Sequence, residues 1–264
     1  MTLLKNLLTF FIVVFLVACG SDDSTGPDTD SSSGQGMSSS ISSSGTSSIS
    51  ISSSSLALTS NPSDGEMTDS RDGKSYKTTT IGTQVWMAEN LNFETASGSY
   101  CYDNSESNCD TYGRLYTWSV AMDGAPSSSA NPSGIQGVCP SGWHMPSDDE
   151  WETLASFVAN DAGLTGKSID NWTEIGQKLK SITGWTASSG ISFDDGYGFS
   201  GLPGGYRINS SGSYADLGNG GHWWSSTEIS NSYAYYRFLF YNNENFLRLG
   251  NDKSDAHSVR CIMN

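Results

Sequence analysis

A serine-rich stretch confines folding to the C-terminal part of this chain. Seventeen of the thirty residues from Ser31 to Ser60 are serine, and the stretch has almost no aromatic or charged side chains. Such a composition cannot bury a hydrophobic core and is typical of a disordered linker. Composition changes near Asp64, so we expect a spacer over residues 19–63 followed by a single folded domain over residues 64–264. The alternative is a low-complexity stretch without a function of its own.

The N-terminus resembles the signal of an exported lipoprotein. Lys5 is the only charged side chain among the first twenty residues, and residues 7–18 are apolar except for Thr9. This run is too short to cross a hydrocarbon core of about 30 Å as a helix, and it suits a secretory signal peptide over residues 1–18. The sequence from Leu16 to Cys19 resembles the bacterial lipobox, in which cleavage precedes a lipid-modified cysteine. We therefore expect Cys19 to be acylated, the alternative being an ordinary signal peptide followed by an unmodified cysteine.

The acidic stretch after Cys19 extends this resemblance to the localisation of the protein. Residues 20–23 read Gly-Ser-Asp-Asp, which is similar to the surface-export signal of Bacteroidota-type lipoproteins. The resemblance implies a protein that is exported, held in the lipid bilayer of the outer membrane through Cys19, and displayed on the cell exterior. An anchor that faces the periplasm is the alternative.

The charge of the chain limits its partners. Lys and Arg number 13 against 28 Asp and Glu, which gives a net charge of −15 and a pI near 4.3. Removal of residues 1–18 removes Lys5 and no acidic residue, so the mature charge is 12 − 28 = −16. An acidic surface disfavours nucleic acids and other anionic polymers. We expect no nucleic-acid partner and a partner that is neutral or weakly charged.

The domain is expected to have an α+β fold, with helices before an antiparallel sheet. Ser147 and Glu150 have the spacing of a capping box, and Trp151 begins an apolar pattern with three- and four-residue spacing, which indicates a buried helix face. Two further helices are expected over residues 114–122 and 174–182. Glycine, asparagine and aspartate turns delimit the expected strands, which cover residues 75–81, 83–87, 223–228, 234–241, 245–249 and 258–263.

Four cysteines remain in the domain once Cys19 is assigned to the lipid. An even number in an exported chain indicates disulfides, and four cysteines permit three pairings. We expect the pairs Cys101–Cys109 and Cys139–Cys261. A zinc site is the competing interpretation, but the chain has no C-x-x-C pair and its three histidines lack ligand spacing to the cysteines. We expect neither a metal ion nor another cofactor.

Six ordered motifs together resemble one protein family. They are Gly82–Leu91 (GTQVWMAENL), Tyr112–Trp118 (YGRLYTW), Cys139–Pro146 (CPSGWHMP), Gly198–Arg207 (GFSGLPGGYR), Trp224–Glu228 (WSSTE) and Ser258–Cys261 (SVRC). The set is similar to the Fibrobacter succinogenes major paralogous domain over residues 66–264. Members of that family are typically exported and often lipoproteins, and some accompany polysaccharide-degrading modules. The resemblance implies a cell-surface domain and, weakly, contact with carbohydrate.

A more distant resemblance concerns the fold. The helix after Gly142–Pro146, the terminal cysteine strand and Gly205–Arg207 are similar to segments of the C-type-lectin-like and formylglycine-generating-enzyme folds. This resemblance implies a loop-rich, C-type-lectin-like domain, stapled by disulfides, with two or three helices and a twisted antiparallel sheet. A fold alone does not determine function.

Aromatic side chains in the C-terminal half are the candidate ligand contacts. Rigid rings can stack on the apolar C–H faces of pyranose sugars with little loss of entropy. Neighbouring residues in a strand point to opposite faces of the sheet, so we expect one member of each adjacent pair to lie in the core. The candidates are Trp223, Trp224, Tyr233, Tyr235, Tyr236 and Tyr241.

Calcium-dependent sugar binding and catalysis have weaker support in the sequence. The Glu-Pro-Asn, Gln-Pro-Asp and Trp-Asn-Asp motifs of C-type lectins do not occur, and solvated turns explain Asp194-Asp195 and Asn251-Asp252 better than calcium does. A glycosidase needs two carboxylates on a cleft, and nothing pairs the available ones. No Gly-x-Ser-x-Gly elbow places a nucleophile, and disulfides account for the thiols that a Cys-based oxidase would need. We expect no catalytic residue; the carboxylates considered are Glu89, Asp194, Asp195, Glu228 and Asp255.

Two arginines in the family motifs are expected to be structural. Arg207 and Arg260 lie beside apolar residues, and a buried arginine needs a carboxylate partner, for which Glu89 is the candidate. Taken together, the sequence predicts a surface-tethered, non-catalytic binding module that contacts a polysaccharide or glycan. The alternatives are a protein-interaction or structural envelope domain and, with less support, an enzyme.

Overall fold

The computed structural model describes residues 65–264, and the expectations for the signal peptide, Cys19 and the serine-rich linker lie outside them. These residues form an α+β fold with short helices and two mainly antiparallel sheets. The strands are β1 (Gly65–Thr68), β2 (Ser75–Ile81), β3 (Gln84–Met87), β4 (Ser99–Tyr100), β5 (Leu115–Thr117), β6 (Trp143–His144), β7 (Asn171–Trp172), β8 (Gly204–Arg207), β9 (Tyr214–Leu217), β10 (Gly220–Glu228), β11 (Tyr233–Phe240), β12 (Phe246–Asp252), β13 (Ala256–Ser258) and β14 (Ile262–Met263). The α-helices are α1 (Glu106–Tyr112), α2 (Trp118–Ala121), α3 (Asp148–Asp161) and α4 (Ile175–Leu179).

The smaller sheet joins the start of the domain to its end. Its strand order is β1-β2-β3-β14-β6, with every neighbouring pair antiparallel. The expected β2–β3 hairpin is confirmed, and Gly82 makes its turn at φ 64°. Glycine is required at this position because a Cβ atom would lie 2.9 Å from the ring of Phe157.

The larger sheet has the order β4-β5-β13-β10-β11-β12-β7, and β8 pairs with both β13 and β9. The expected strands at 223–228, 234–241 and 245–249 correspond to β10, β11 and β12. The single strand expected at 258–263 is wrong, because β13 and β14 belong to different sheets. Between them the backbone carbonyls of Val259 and Cys261 accept hydrogen bonds from Leu91 and Met87, which joins the two sheets at this crossing.

One expected helix is wrong in its first half. Residues 115–117 form strand β5, which pairs with β4 and β13, and helix α2 begins only at Trp118. The helix expected at 174–182 is shorter, because Glu174 has a left-handed φ of 69° and Lys180 is extended. Helix α1 begins in the loop between Cys101 and Cys109, continues beyond Cys109 to Tyr112, and was not expected.

The predicted capping box of α3 is confirmed. The Ser147 hydroxyl accepts a hydrogen bond from the Glu150 amide at 3.1 Å, and the Glu150 carboxylate accepts one from the Ser147 amide at 2.9 Å. The same carboxylate also accepts the Ser133 amide and lies 2.7 Å from Nε2 of His144. Glu150 therefore fixes the start of the helix to two neighbouring segments as well as capping it.

Two hydrophobic cores lie on opposite sides of β10. Trp223 packs in one core with Trp151 and Phe199, and Trp224 packs in the other with Tyr116. Both tryptophans are fully buried. The central strand of the larger sheet is therefore covered on both faces around residues 223–224.

Both predicted disulfides are confirmed. Cys101–Cys109 closes a loop of eight residues, and Cys139–Cys261 joins the segment before β6 to the segment before β14 across 122 residues. Within residues 65–264, no helix has the length and apolar character needed to cross a membrane.

Candidate functional site

A line of aromatic rings follows strand β11 on one face of the larger sheet. The two-residue period of a strand places Tyr236, Phe238 and Phe240 on the same side. Their ring centroids are 6.4 Å apart between Tyr236 and Phe238 and 5.4 Å apart between Phe238 and Phe240. All three rings are partly exposed. Tyr241 follows at the end of the strand, with its ring 4.9 Å from that of Phe240.

Strand β12 adds aliphatic side chains beside these rings. Leu247 is paired in register with Phe238, and Leu249 is paired with Tyr236. Paired residues on neighbouring strands project from the same face, and Leu249 is 37% exposed. The rings and these leucines together form an apolar strip on an open part of the sheet.

Strand β10 supplies a histidine and a glycine on the other side of the rings. His222 is paired with Phe238, and their rings are 4.6 Å apart. Gly220 is paired with Phe240, and a Cβ atom there would lie 2.8 Å from His222 and 3.0 Å from Phe238. Glycine at this position therefore leaves room for the side chains of both His222 and Phe238.

Tyr206 and His257 extend the surface across β8 and β13. The Tyr206 ring is stacked on His257 at 5.5 Å and lies 4.8 Å from His222. His222 and His257 are almost completely buried, whereas Tyr206 is partly exposed. We name the exposed part of this surface the aromatic face, and it consists of Tyr206, Tyr236, Phe238, Phe240, Tyr241, Leu247 and Leu249.

The two histidines beneath the aromatic face are neutral at pH 7, and a hydrogen bond sets the tautomer of His257. Burial lowers the pKa of His222, and burial together with the nearby His222 lowers the pKa of His257 well below its usual value. The Asn251 amide nitrogen lies 2.8 Å from Nε2 of His257 and 3.1 Å from the Asp255 carboxylate. Asn251 thus donates to both groups, which leaves the proton of His257 on Nδ1.

Carboxylates border the aromatic face. Asp216 accepts a hydrogen bond from Nε2 of His222 at 3.2 Å. Burial raises the pKa of Tyr206, and Asp216 and Asp255 raise it further. Burial also raises the pKa of Tyr236, with smaller contributions from Tyr206 and Asp216. Both tyrosines therefore keep their hydroxyl protons at neutral pH, and the nearby negative charge disfavours an anionic ligand.

Two of the expected ligand contacts are wrong. Trp223 and Trp224 point to opposite faces as expected, but both are fully buried because each face of β10 is covered there. The indole nitrogen of Trp223 donates to Asn90 Oδ1 at 2.8 Å, and that of Trp224 donates to the Tyr116 carbonyl at 2.7 Å. Neither ring can contact a ligand.

The four expected tyrosines divide between the two faces of β11. Tyr236 and Tyr241 lie in or beside the ring line. Tyr235 lies on the opposite face, where the Arg248 guanidinium is 3.8 Å from its ring centre. Tyr233 shares that opposite face at the start of the strand and is 49% exposed. Tyr206, Phe238, Phe240 and the β12 leucines were not among the expected contacts, although the alternation at 236, 238 and 240 signals the two phenylalanines.

Arg260 is buried as expected, but its expected carboxylate partner is wrong. Its guanidinium donates to Asn90 Oδ1 at 3.0 and 2.7 Å and to the carbonyls of Met87 and Phe199. No described carboxylate lies within ion-pair distance, and Glu89 instead accepts the backbone amide of Lys77. Burial lowers the pKa of Arg260 to about 9.

Arg207 also lacks the expected carboxylate among residues 65–264. Its guanidinium stacks 4.1 Å from the ring centre of Tyr100 and 6.0 Å from that of Tyr214. Its Nη1 atom is buried without a hydrogen-bond partner. Arg207 therefore packs against aromatic rings on the side of β8 away from the aromatic face.

The acidic residues considered for calcium or catalysis have local partners. Asp195 accepts hydrogen bonds from the amide and hydroxyl of Ser200, and with Asp194 it lines a cavity of about 550 Å³. Asp252 accepts the amide and hydroxyl of Ser254. The remaining contacts are the ion pairs Lys178–Asp194 and Lys253–Glu228 and the Asn251–Asp255 hydrogen bond.

Comparison with known proteins assigns a family but no activity. The model of the Fibrobacter succinogenes major domain matches residues 79–263. No curated protein and no solved structure matches the chain. The likeness to the C-type-lectin-like and formylglycine-generating-enzyme folds therefore stays a prediction.

Proposed function

The chain belongs to the Fibrobacter succinogenes major domain family, and from this premise we propose that it is a non-catalytic binding module for a neutral polysaccharide. The observation that carries the proposal is the aromatic face. Five partly exposed aromatic rings and two leucines form one apolar surface on the larger sheet. Such a surface suits the C–H faces of pyranose rings, because few side chains need to be ordered on binding.

Charge supports a neutral partner over an anionic one. The chain carries a net charge of −15, and Asp216 and Asp255 lie beside the tyrosines of the aromatic face. No described lysine or arginine contacts the rings of Tyr206, Tyr236, Phe238 or Phe240 within cation–π distance. A chain of uronic acids would meet uncompensated negative charge, whereas a neutral glucan or xylan would not.

The cellular part of the proposal rests on the N-terminal sequence. Acylation of Cys19 would hold the protein in the outer membrane, and the linker would carry the domain outward to meet extracellular polymers. Whole cells that express the protein would test this by protease accessibility and by incorporation of a labelled fatty acid. Cys19→Ala should abolish the label, and protection of the domain from external protease would contradict surface display.

The binding test uses the full-length protein purified in a mild detergent. Retention would be measured by affinity electrophoresis on soluble neutral glycans and pectin and by depletion on insoluble cellulose and xylan, with and without EDTA. Released sugar would be assayed in the same samples. Saturable binding without sugar release supports the proposal, whereas release of sugar would identify an enzyme and loss of binding in EDTA would restore a calcium site.

The matched variants are Phe238→Ala, on the aromatic face, and Tyr233→Ala, which removes an exposed ring from the opposite face of the same strand. We expect the first to weaken retention about tenfold or more, as when one buried aromatic contact is lost, and the second to leave it unchanged. Equal behaviour of the two variants would contradict the assignment of the site. Failure to bind any glycan would favour a protein-interaction or structural envelope domain.

A further inference from the structure

The line of rings formed by Tyr236, Phe238 and Phe240 runs along strand β11. Tyr236, Phe238 and Phe240 come from alternate positions of a single strand, so their rings succeed one another along β11 at 6.4 and 5.4 Å. Leu247 and Leu249 border the line on the β12 side. These intervals are comparable to the length of one pyranose unit in an extended chain. A glycan that lies along the strand would therefore bring successive sugars to successive rings.

The ring planes are not parallel. The planes of Tyr236 and Phe238 meet at 61°, and those of Phe238 and Phe240 meet at 35°. A flat surface can make face contact with only one of three rings inclined in this way. A single chain can rotate about its glycosidic bonds and meet each ring at a different angle. The geometry therefore favours an isolated chain over the planar face of a crystalline polymer.

The strip is also narrow. On the β10 side the rings of β11 are bordered by Gly220 and by His222, which is only 4% exposed. Beyond His222 lie the carboxylate of Asp216 and the separate ring of Tyr206 on β8. A single neutral chain fits between this polar border and the leucines of β12. A second chain beside it would desolvate Asp216 without a compensating positive charge.

We propose that the aromatic face binds one extended, neutral, β-linked glycan chain along β11, with one sugar unit over each of Tyr236, Phe238 and Phe240. The occupant is a soluble or locally loosened chain, and coiled α-linked glucans and crystalline surfaces are poor ligands. This inference rests on the proposed function and specifies its ligand class.

The test compares soluble mixed-linkage β-glucan, pullulan and microcrystalline cellulose as ligands of the full-length protein in detergent. We expect affinity for the soluble β-glucan to exceed that for pullulan and for microcrystalline cellulose by at least tenfold, which is the loss of about one ring contact. Equal or tighter binding to pullulan or to microcrystalline cellulose would overturn the inference and leave the proposed function standing. No binding to any glycan would overturn the proposed function itself.

A series of β-linked oligosaccharides with two to six units, measured by calorimetry, tests the one-sugar-per-ring arrangement. Affinity should rise with each added unit until the three rings are covered and then level off. Phe240→Ala removes the third of these three rings and should make affinity level off one unit earlier, whereas Tyr233→Ala should not shift it. Affinity that is independent of length, or an unchanged profile in Phe240→Ala, would overturn the arrangement. Thermal melts of each variant distinguish loss of a contact from loss of the fold.

Discussion

The Nζ atom of Lys180 donates a hydrogen bond to the carbonyl oxygen of Phe240 at 2.7 Å. It also donates to the Asn243 carbonyl at 2.5 Å, and it lies 4.5 Å from the ring centre of Phe193. Lys180 is fully buried. Its ammonium group therefore connects the end of β11 to the segment after α4, and no carboxylate of residues 65–264 lies within ion-pair distance of it.

Lys180→Met should lower the free energy of unfolding by about 2–3 kcal/mol, because two carbonyls lose a charged donor. Lys178→Met is the matched control, since Lys178 lies on α4 and its ion pair with Asp194 is partly exposed. This substitution should cost at most about 1 kcal/mol. Urea denaturation at pH 7 measures both. Equal costs would contradict the role of the buried ammonium.

The lowered pKa of Lys180 predicts that its contribution to the free energy of unfolding depends on pH. Burial lowers the pKa of Lys180 to about 8 from an ordinary value of 10.5. Between these values the unfolded chain binds more protons at this site than the folded protein does, so the site's contribution to stability rises with pH. The stability difference between the wild type and Lys180→Met should therefore widen from pH 8 to pH 10. A constant difference would contradict the lowered pKa.

The sequence predicts features that depend on neighbouring residues better than it predicts contacts between distant strands. The capping box of Ser147 and Glu150 depends on residues three positions apart, and it is present. The Cys139–Cys261 disulfide is an exception, a correctly predicted pairing across 122 residues, because four cysteines permit only three pairings. The boundary between β13 and β14 depends on hydrogen bonds to residues 87 and 91, far away in the chain. The sequence around Arg260 contains no pattern that predicts those contacts.

The aromatic site illustrates the same limit. Strand alternation correctly separates Trp223 from Trp224 and Tyr235 from Tyr236. It does not reveal that both faces of β10 are covered at Trp223 and Trp224 while the face at Phe238 is open. That difference depends on which elements pack over each stretch, and Tyr206 joins the site only through the pairing of β8 with β13.

Acid should destabilise the protein through the histidines beneath the aromatic face. Burial lowers the pKa of His257 well below 6.5, and the neighbouring His222 lowers it further. Below pH 6.5 this histidine becomes protonated in the unfolded chain but stays neutral in the folded protein. The free energy of unfolding therefore falls as the pH falls below 6.5. His257→Gln should therefore lose less stability than the wild type between pH 7.5 and pH 5, as measured by urea denaturation.

His144 is the control with the opposite sign. Burial acts to lower its pKa, but the Glu150 carboxylate at 2.7 Å and Asn264 outweigh burial and raise it. The contribution of His144 to the free energy of unfolding is fully present below pH 6.5. It is lost as the pH rises through the raised pKa of the folded protein. His144→Gln should therefore remove stability mainly at acidic pH. The same pH profile for both variants would contradict these assignments.

The two disulfides should differ in their effect on stability. Cross-linking restricts the unfolded chain more when it closes a longer loop, and the separations here are 122 residues for Cys139–Cys261 and 8 for Cys101–Cys109. The chain-entropy relation gives upper values of about 5 and about 2.5 kcal/mol. Paired Cys→Ala replacements compared by urea denaturation test this order. A larger loss from the short loop would show that native contacts around it, and not loop entropy, dominate.

Asn90 is expected to be the most sensitive polar residue of the interior. Its Oδ1 atom accepts hydrogen bonds from Trp223 Nε1 and from Nε and Nη2 of Arg260, all between 2.7 and 3.0 Å. Asn90→Ala would leave these three donors buried without that acceptor, and two of them belong to the charged guanidinium of Arg260. We expect a loss of about 3–5 kcal/mol, as when a buried charge loses its partner.

Asn92→Ala is the matched control, two residues along the same segment, because Asn92 Oδ1 is buried without a hydrogen-bond partner. This substitution should lower the free energy of unfolding by less than about 1 kcal/mol, because removal of the Asn92 side-chain oxygen deprives no hydrogen-bond donor of its acceptor. A double-mutant cycle of Asn90→Ala with Arg260→Met should show strong coupling, because removing the guanidinium also removes two of the three stranded donors. Additive effects would show that Arg260 is held by the carbonyls of Met87 and Phe199 alone.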